Sequence, residues 1–287
     1  MSKYVIITPA RDEAEYIEET IKSIINQTVK PLEWVIVNDG SSDTTGEIIK
    51  CYAEKFSWIK TVHRKDRGYR QAGGGVIEAF YAGYNSIKNE EWDFLVKLDG
   101  DLTLPENYFE ECFKRFGNNT KLGIAGGGIY HFVNGMIEYE EDPIFHVRGA
   151  TKIYKRECWN DIGELIRAPG WDTLDEIKAN MMGYETRTFP ELKLIQHRVT
   201  GSADGTWQNW VKNGRANYIA GYHPLFMIFK CFKRTFQKPY FIVSSGLFYG
   251  FISGYLQKIP QVSDDKLLQY LRKQQLRRLL LMKSIWK

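Results

Sequence analysis

Two aspartates separated by one glycine, Asp99 and Asp101 around Gly100, are the residues of this sequence with the clearest capacity for chemistry. They follow Phe94 to Leu98 (FLVKL), a largely apolar run that predicts a buried strand. Carboxylate oxygens are the hard ligands that Mg²⁺ and Mn²⁺ prefer, and a bound cation would in turn hold a diphosphate. An isolated aspartate pair is more often a solvated turn, but the preceding strand fixes this pair at a strand end. The pattern therefore predicts a divalent-cation site.

Two further polar segments occupy similar positions. Thr8 to Glu13 (TPARDE) follows an apolar run from Tyr4, which predicts a buried strand ended by Pro9. Asn38 to Asp43 (NDGSSD) follows a second buried strand, predicted for Trp34 to Val37. Ligands of open parallel sheets bind outside the carboxyl ends of the strands, so the three polar segments are expected to line one crevice.

Individual side chains in these segments suit a nucleotide. Asp39 can accept from the imide N–H of uracil or the ring N–H of guanine, and Glu13 can accept from ribose hydroxyls. Both also fit ordinary roles as helix caps or turn residues, and capping is the favoured interpretation for Asp43. Arg67 and Arg70 lie in a glycine-rich segment and are candidates for neutralising phosphate, although exposed loop arginines are usually solvated.

The elements that must position these residues alternate in type. Apolar residues at helical spacing, such as Ile17, Ile21 and Ile24, follow the first strand, and strand and helix patterns continue to alternate up to Leu98. This alternation predicts an α/β fold with a mainly parallel central sheet and right-handed crossovers. A further strand (GIAGGGIY) and a strand-turn-helix unit (RGATKIYKRECWNDIG) are predicted beyond Leu122.

Length and composition fit one large domain with an appendage. The chain has 287 residues, 43% of them hydrophobic, which is enough for an ordinary core and argues against a disordered or fibrous protein. Its four cysteines are scattered, so neither a zinc site nor a disulfide framework is predicted. The apolar run at the N-terminus is too short for a secretory signal, and a cytoplasmic location is expected.

The C-terminal part, from residue 201 to residue 287, has a different character. The net charge of +4 is unevenly divided: Lys212 to Lys287 contains 14 Lys and Arg against two acidic residues, whereas the residues before Lys212 contain 25 against 33. An uncharged run of 18 residues, 239–256, is at the short edge of what spans a bilayer and is rich in Ser, Gly and Tyr. Leucines of a basic helical stretch, including Leu267, Leu268 and Leu271, follow it.

Such a basic, aromatic-rich helical region suits the membrane interface. We therefore expect it to bind the inner face of a membrane peripherally, as a monotopic protein does. Packing of the same helices on the catalytic body is the alternative. The long uncharged run favours lipid over nucleic acid as the anionic partner, and no nucleic-acid partner is expected.

The order of three blocks makes a family resemblance specific. TPARDEAEYIEETIKSIINQT, then WVIVNDGSSDTT, then LVKLDGD resemble the nucleotide-sugar-binding half of the family 2 glycosyltransferases, with a likeness extending over approximately residues 3–195. The resemblance implies a GT-A, Rossmann-like nucleotide-diphospho-sugar transferase fold over residues 1–200, with a donor-binding half (1–102) and an acceptor half (103–200). It also implies a UDP-, GDP- or dTDP-sugar donor, Mn²⁺ or Mg²⁺ as cofactor, and transfer with inversion.

The same resemblance assigns residues to roles. It implies that Asp101 and Asp99 bind the metal. His197 is a third candidate ligand, because some GT-A enzymes use a C-terminal histidine. The residues implied to bind the nucleotide sugar are Pro9, Ala10, Arg11, Glu13, Asp39, Arg67, Arg70, Asp99 and Gly100.

An inverting transfer also needs a general base for the acceptor hydroxyl. In the family this base lies in an acidic motif before a helix that ends at a glycine, and the corresponding stretch here is GWDTLDEIKANMMGY. Counting back from Gly183 aligns Asp172 with the family's aspartate, while Trp171 stands where the family has glutamate. Asp175 is the reserve candidate. Asp172 also fits an N-cap, with Asp175 at the reciprocal capping position.

Two departures from the family pattern bear on donor binding. Asp12 stands where the family usually has asparagine, and the glycine-rich loop reads Ala72, Gly73, Gly74 where the family has alanine-x-asparagine.

Other functions remain open at this point. Within the transferases, the acceptor is a lipid-linked glycan, as in polysaccharide or glycolipid assembly, or a bare polyprenyl phosphate. A sugar-1-phosphate nucleotidyltransferase would be expected to carry a basic glycine-rich loop where this chain has TPARDE. A non-catalytic nucleotide-sugar-binding protein is the remaining alternative. The sugar, the donor base and the oligomeric state are not determined by these residues.

Overall fold

The computed structural model describes residues 2–68, 73–133, 135–198, 205–236 and 239–286. Within them, nine strands form one sheet. Numbered in chain order, with their bounds given below, the strands lie in the order β3-β2-β1-β4-β8-β6-β9-β5, and β7 pairs with β6.

The first half of the sheet is parallel, as the alternating pattern predicts. Alternate residues of β1 enter separate cores: Tyr4 and Ile6 pack with the isoleucines of α1, whereas Val5 and Ile7 pack with Ile77 and Phe80 of α3. Burial on both faces explains why these strands are continuous apolar runs. The elements of this half are β1 (Tyr4–Ala10), α1 (Ile17–Ile25), β2 (Glu33–Asp39), α2 (Thr45–Lys55), β3 (Ile59–Arg64), α3 (Gly74–Tyr84) and β4 (Phe94–Leu98).

The first strand continues through Pro9 to Ala10, so the expectation that Pro9 ends it is wrong. The reason is the unequal length of its neighbours. β2 pairs with β1 as far as Ala10, but β4 pairs with it only as far as Ile7. Beyond Ile7 one side of β1 has no neighbouring strand, and a proline without an N–H is tolerated there.

The second half of the sheet is mixed. β8 runs antiparallel to β4 on one side and to β6 on the other, while β6 and β9 are parallel. The predicted strand-turn-helix unit is β8 followed directly by α5. The elements are β5 (Leu102–Thr103), α4 (Tyr108–Asn118), β6 (Leu122–Val133), β7 (Met136–Tyr139), β8 (Thr151–Lys155), α5 (Arg156–Ile162), α6 (Trp171–Met181) and β9 (Glu185–Gln196).

Four helices follow the sheet and share a third core with α6. Leu267 and Leu271 of α10 are fully buried in this core, so the leucine face that was expected at a membrane packs on the body instead. Across the described ranges, no helix combines the length and apolarity needed to cross a membrane. The helices are α7 (Thr206–Ile219), α8 (Pro224–Thr235), α9 (Ile242–Leu256) and α10 (Asp265–Leu279).

Helix α9 packs on α7 through a glycine face. A Cβ atom on Gly250 would lie 2.0 Å from the carbonyl oxygen of Val211, and a Cβ atom on Gly214 would lie 2.1 Å from that of Leu247. Gly246 and Gly254, one turn before and after Gly250, also face α7. The two backbones are therefore in direct contact, and the bulky side chains of α9 lie on its other sides.

Candidate active site

The aspartate pair lies against the loop between β1 and α1. The carbonyl oxygen of Gly100 accepts from the hydroxyl of Thr20 at 2.9 Å. A Cβ atom on Gly100 would lie 2.9 Å from Cδ1 of Ile17 and 3.6 Å from Cγ of Glu13. Glycine at the centre of the pair thus allows a close approach, and it brings Asp99 and Asp101 beside the loop that carries Glu13.

The two aspartates have different surroundings. Asp101 is 5% exposed and accepts from the amide of Gln196 at 3.2 Å, and burial together with the negative charge of Asp99 raises its pKa to about 6. The Asp99 side chain is more open, 30% exposed, and is paired with the ammonium of buried Lys97. Two neighbouring carboxylates, one of them desolvated, are a donor set that fits a divalent cation, since the cation would offset their mutual repulsion.

His197 lies beside the aspartate pair. Its backbone N–H donates to the carbonyl oxygen of Asp101 at 2.9 Å, which places the residue next to the site. Its Nε2 atom is 2.7 Å from the Thr103 hydroxyl, and its ring stacks on Tyr16 with a centroid separation of 5.8 Å. Over the described ranges, no three His, Cys, Asp or Glu side chains are grouped so as to hold a metal ion. A ligand role for His197 stays a prediction.

Asp39 is the most constrained residue on the nucleotide side. Its carboxylate is 9% exposed and is paired with two arginines: Arg64 at 2.6 Å and Arg67. Glu78 of α3 completes the cluster, 2.9 Å from Arg67 and 3.4 Å from Arg64. Asp39 therefore faces two guanidinium groups, and a base that donates an N–H to it would also meet their N–H donors.

The β1–α1 loop is held by the segment between β2 and α2, by the first residue of α2, and by Arg198, which lies two residues after β9. The Glu13 carboxylate pairs with Arg198 at 2.9 Å, and the Glu13 N–H donates to the hydroxyl of Thr45. Asp12 has a positive φ of 53°, a conformation in which Asp and Asn are the common non-glycine residues. Its carboxylate accepts from the backbone and side chain of Ser42. The aspartate that departs from the family pattern therefore fits its backbone position.

The remaining nucleotide candidates lie around this loop. Pro9 and Ala10 form the last residues of β1, and Arg11 pairs with Asp66 at 2.6 Å. Asp43 accepts from the N–H and hydroxyl of Thr45, the first residue of α2, and from the N–H of Ala14. The N-cap residue of α2 is Thr44, so Asp43 lies one residue before the capping position that was expected for it. Arg70 and Ala72 lie outside the described residues.

Asp172 lies on the same side of the sheet end as the aspartate pair. A Cβ atom on Gly149 would be 3.2 Å from the Asp172 carboxylate. The carbonyl oxygen of Gly149 accepts from Lys97, whose ammonium also pairs with Asp99. One glycine and one lysine thus separate the candidate base from the first aspartate. Burial alone would raise the pKa of Asp172, but the positive charges of His146, Lys152 and Arg148 hold it below its ordinary value.

Asp175 points into the protein instead. Asp175 is 5% exposed, and burial raises its pKa to about 7. Its carboxylate accepts from the Lys152 ammonium at 2.7 and 2.9 Å and from the Tyr154 hydroxyl at 2.5 Å. Lys152 is fully buried, pairs with Glu176 at 2.9 Å and donates to the backbone carbonyl of Asp172. Asp175 belongs to a buried cluster beneath Asp172, so the geometry favours Asp172 among the two predicted bases.

Sequence reasoning missed the cations that organise the site. Lys97 and Lys152 both lie within 6 Å of the ring centroid of Trp171, at 5.7 and 5.4 Å. Trp171 is itself 6% exposed. The one available signal was a lysine inside each of two strand patterns, Lys97 in FLVKL and Lys152 in TKIYK. Lys97 pairs with nearby Asp99, but the carboxylates of Lys152 are on α6, and no local pattern reveals that contact.

These features define a class of protein. A sheet that is parallel at its start, with helices on both faces, is the architecture shared with solved GT-A nucleotide-sugar transferases. A fragment of TarS from S. aureus in complex with UDP aligns with a TM-score of 0.55 over 76% of this chain and 64% of that one, at 18% identity. Mannosyltransferase PcManGT from Pyrobaculum calidifontis, in complex with GDP-Man and Mn²⁺, aligns with a TM-score of 0.56 over 98% and 76%, at 17% identity. The predicted GT-A fold is confirmed.

The family is shown by sequence. The profile of the family described as "Glycosyl transferase family 2" matches residues 5–168, and the chain belongs to this family of glycosyltransferases. Glycosyltransferase GlyA of Streptococcus pneumoniae is 29% identical over 194 residues, covering 67% of this chain and 25% of GlyA. EpsJ of Bacillus subtilis, an uncharacterized glycosyltransferase, is 33% identical over 125 residues, covering 44% and 33%. The chain thus spans a third or less of the length of these two relatives.

Proposed function

We propose that this protein transfers a sugar from a nucleoside-diphosphate sugar to an acceptor hydroxyl, with inversion and with a divalent cation bound by Asp99 and Asp101. The observation that carries the proposal is the contact chain from Asp99 through Lys97 and Gly149 to Asp172. This contact chain supports a role for the Asp172 carboxylate, whose pKa is lowered, next to the candidate cation site. A cation held there supplies positive charge for the leaving diphosphate.

The residues of this chain divide the remaining work. Asp39 and Glu13 lie at neighbouring strand ends, where a nucleoside reaches both, and Arg64 and Arg67 add donors beside Asp39. Asp172 takes the proton from the acceptor hydroxyl as the oxygen attacks the anomeric carbon. Because Lys152 holds its backbone carbonyl, Asp172 is fixed in place before the acceptor binds.

Substitution of Asp172 by asparagine tests this assignment. Asparagine keeps the size of the side chain but cannot accept a proton at neutral pH, so transfer should fall by about a hundredfold to ten-thousandfold. Donor affinity should stay within about threefold, because the nucleotide contacts lie elsewhere. A screen of UDP-, GDP- and dTDP-sugars with Mn²⁺, scored by thermal shift, first identifies the donor. Donor turnover then gives the rate.

Glu164→Gln is the matched control, because Glu164 is an exposed carboxylate in the segment before α6. It should behave as wild type. Turnover of Asp172→Asn within a few fold of wild type would exclude Asp172 as the base. Loss of donor binding in the same variant would instead assign Asp172 to the nucleotide site.

We also propose a lipid-linked acceptor in polysaccharide or glycolipid assembly, at the inner face of a membrane to which the protein binds peripherally. Two observations support this. A relative, the poly-beta-1,6-N-acetyl-D-glucosamine synthase of Staphylococcus aureus, is 23% identical over 232 residues, covering 71% of this chain and 52% of the synthase. One of the basic C-terminal helices, α8, also begins close to Asp172. The charge of Asp172 contributes to raising the pKa of Tyr222, after burial, and α8 starts two residues after Tyr222.

A further inference from the structure

Helix α8 has an exposed apolar stripe along its full length. Residues 225, 228, 229, 232 and 236 recur at helical spacing, so their side chains lie on one side of the helix. Each of them is between 44% and 68% exposed, while Phe226, Met227 and Cys231 on the opposite side are buried in the third core. Large apolar side chains of a solvated helix are normally on its inner side, so this stripe needs a partner. The stripe consists of Leu225, Ile228, Phe229, Phe232 and Phe236.

The stripe continues onto α9. Tyr240, Phe241 and Ile242 at the start of α9 are 54%, 68% and 42% exposed. Because the glycines of α9 are turned toward α7, the side of α9 away from α7 carries large side chains and no charged residue. Phe248 and Leu256 on that side are 46% and 78% exposed, while Tyr249 and Tyr255, whose rings contact Trp207 and Tyr218 of α7, are 57% and 43% exposed. We call the stripe of α8, residues 240–242 and these four residues of α9 the apolar face.

Charge decides which partner fits this face. The segment from Lys212 onward has 14 basic and two acidic residues, and both acids, Asp264 and Asp265, are at the start of α10. Lys233 is exposed beside the stripe of α8, and Lys258 is exposed just after α9. A second copy of the chain would bring two strongly basic segments together. An anionic lipid surface instead attracts the lysines and accepts the aromatic side chains.

We infer that the apolar face inserts into the headgroup region of an anionic phospholipid bilayer, with α8 and α9 lying in the plane of the membrane. Their lengths of 12 and 15 residues are too short to cross a bilayer but suit the interface. The inference rests on the proposed function in one respect, because a lipid-linked acceptor would be met at such a surface. It narrows the membrane contact to α8 and α9 and leaves α10 packed on the body.

Vesicle flotation tests the inference with the full chain. Wild-type protein should float with vesicles of phosphatidylcholine and phosphatidylglycerol, float more weakly with phosphatidylcholine alone, and stay partly bound at high salt. Phe229→Gln/Phe232→Gln should lower the partition coefficient by about a hundredfold, since each buried aromatic contributes about tenfold. The matched control is Leu32→Gln/Met182→Gln, which removes two exposed apolar side chains outside the C-terminal helices and should bind as wild type.

Lys233→Glu tests the electrostatic contribution to vesicle binding. It should weaken binding to the anionic vesicles and leave binding to phosphatidylcholine unchanged. Complete release of wild-type protein by high salt would overturn insertion, as would equal binding of the phenylalanine variant and its control. If wild-type protein does not bind vesicles and forms a dimer that the phenylalanine variant converts to monomer, the face belongs to a second copy and the inference is also overturned.

Donor turnover without vesicles keeps this test separate from that of the proposed function. The phenylalanine variant should turn over donor at the wild-type rate, because neither side chain lies in the candidate site. Vesicle binding without turnover would count against the proposed chemistry alone. Turnover without vesicle binding would count against the apolar face alone.

Discussion

Replacing Lys152 by methionine should destabilise the protein strongly. The Lys152 side chain is fully buried, and its ammonium group contacts the Asp175 and Glu176 carboxylates, both of them almost completely buried. Methionine fills similar volume but leaves these carboxylates without a cation. Breaking a buried ion pair on one side costs about 3 to 5 kcal/mol in the free energy of unfolding. For a chain of this size, this corresponds to a melting temperature lowered by roughly 6 to 20 °C.

The loss should depend on pH, which distinguishes charge from packing. Asp175 has a pKa raised to about 7, so it can take up a proton below this pH and thereby reduce the cost of the missing cation. Urea unfolding of Lys152→Met should therefore show a smaller loss at about pH 6 than at about pH 8, relative to wild type. Lys155→Met, which removes a more exposed lysine from the same strand, should change the free energy of unfolding by less than about 1 kcal/mol.

A companion variant tests the pairing directly. Lys152→Met/Asp175→Asn removes one of the two unpaired carboxylates and should recover part of the lost stability. A loss below about 1 kcal/mol in Lys152→Met, or a loss equal at both pH values, would refute the view that this lysine neutralises the buried cluster.

Three further predictions concern other parts of the molecule. Burial alone would lower the pKa of His146, but the Glu176 carboxylate at 2.9 Å has the larger effect and raises this pKa to about 9. The stabilisation from the pair is therefore complete below about pH 6.5 and is lost as the pH rises through about 9. Urea unfolding across that range should show a decline on the order of 3 kcal/mol in wild type and a nearly flat profile in His146→Gln. Gly250→Ala should lower the free energy of unfolding by about 1 to 3 kcal/mol, because the added Cβ atom would meet the carbonyl of Val211. Gly117→Ala in α4 is the control and should not destabilise the protein, because a Cβ atom there meets nothing within 4 Å. Thermal melts compare the two variants. Asp101→Asn should abolish the Mn²⁺-dependent part of the thermal shift caused by donor and keep the fold, and an unchanged Mn²⁺ dependence would remove Asp101 from the proposed cation site.

Much of the donor half was predictable because its signals are local. Each strand of the parallel half is a continuous apolar run, and the polar residues that follow β1, β2 and β4 are read directly from the sequence. Parallel pairing then places Thr8, Val37 and Leu98 at one edge of the sheet without any further information. The close packing of Gly100 against Ile17 was not predicted.

The acceptor half was less predictable because its contacts are not local. The antiparallel insertion of β8 between β4 and β6 brings Lys97 beside Gly149 and so toward Asp172, although Lys97 and Asp172 are far apart in the chain. Two acids in one helical turn, Asp172 and Asp175, were ranked only by alignment with the family, and the sequence did not show that the helix directs the side chain of the second toward the buried Lys152. The prediction that Pro9 ends β1 was wrong because the sequence does not show how far β4 extends beside β1.

The C-terminal region shows a third limit of sequence reasoning. The leucines of α10 and the aromatic residues of α8 and α9 all suggested an apolar surface. Only the packing shows that Leu267 and Leu271 are buried, while Phe232 and Phe236 remain exposed. An amphipathic pattern gives the direction of an apolar side but does not say whether protein or solvent lies opposite it.

The attachment of Asp99 and Gly149 to adjacent strands has a mechanical consequence. The N–H of Asp99 donates to the carbonyl of Ala150 at 2.8 Å, so the segment that leads into β8 is bonded to the end of β4. The position of the segment that packs against Asp172, relative to the candidate cation ligands, is thus set by a pair of neighbouring strands.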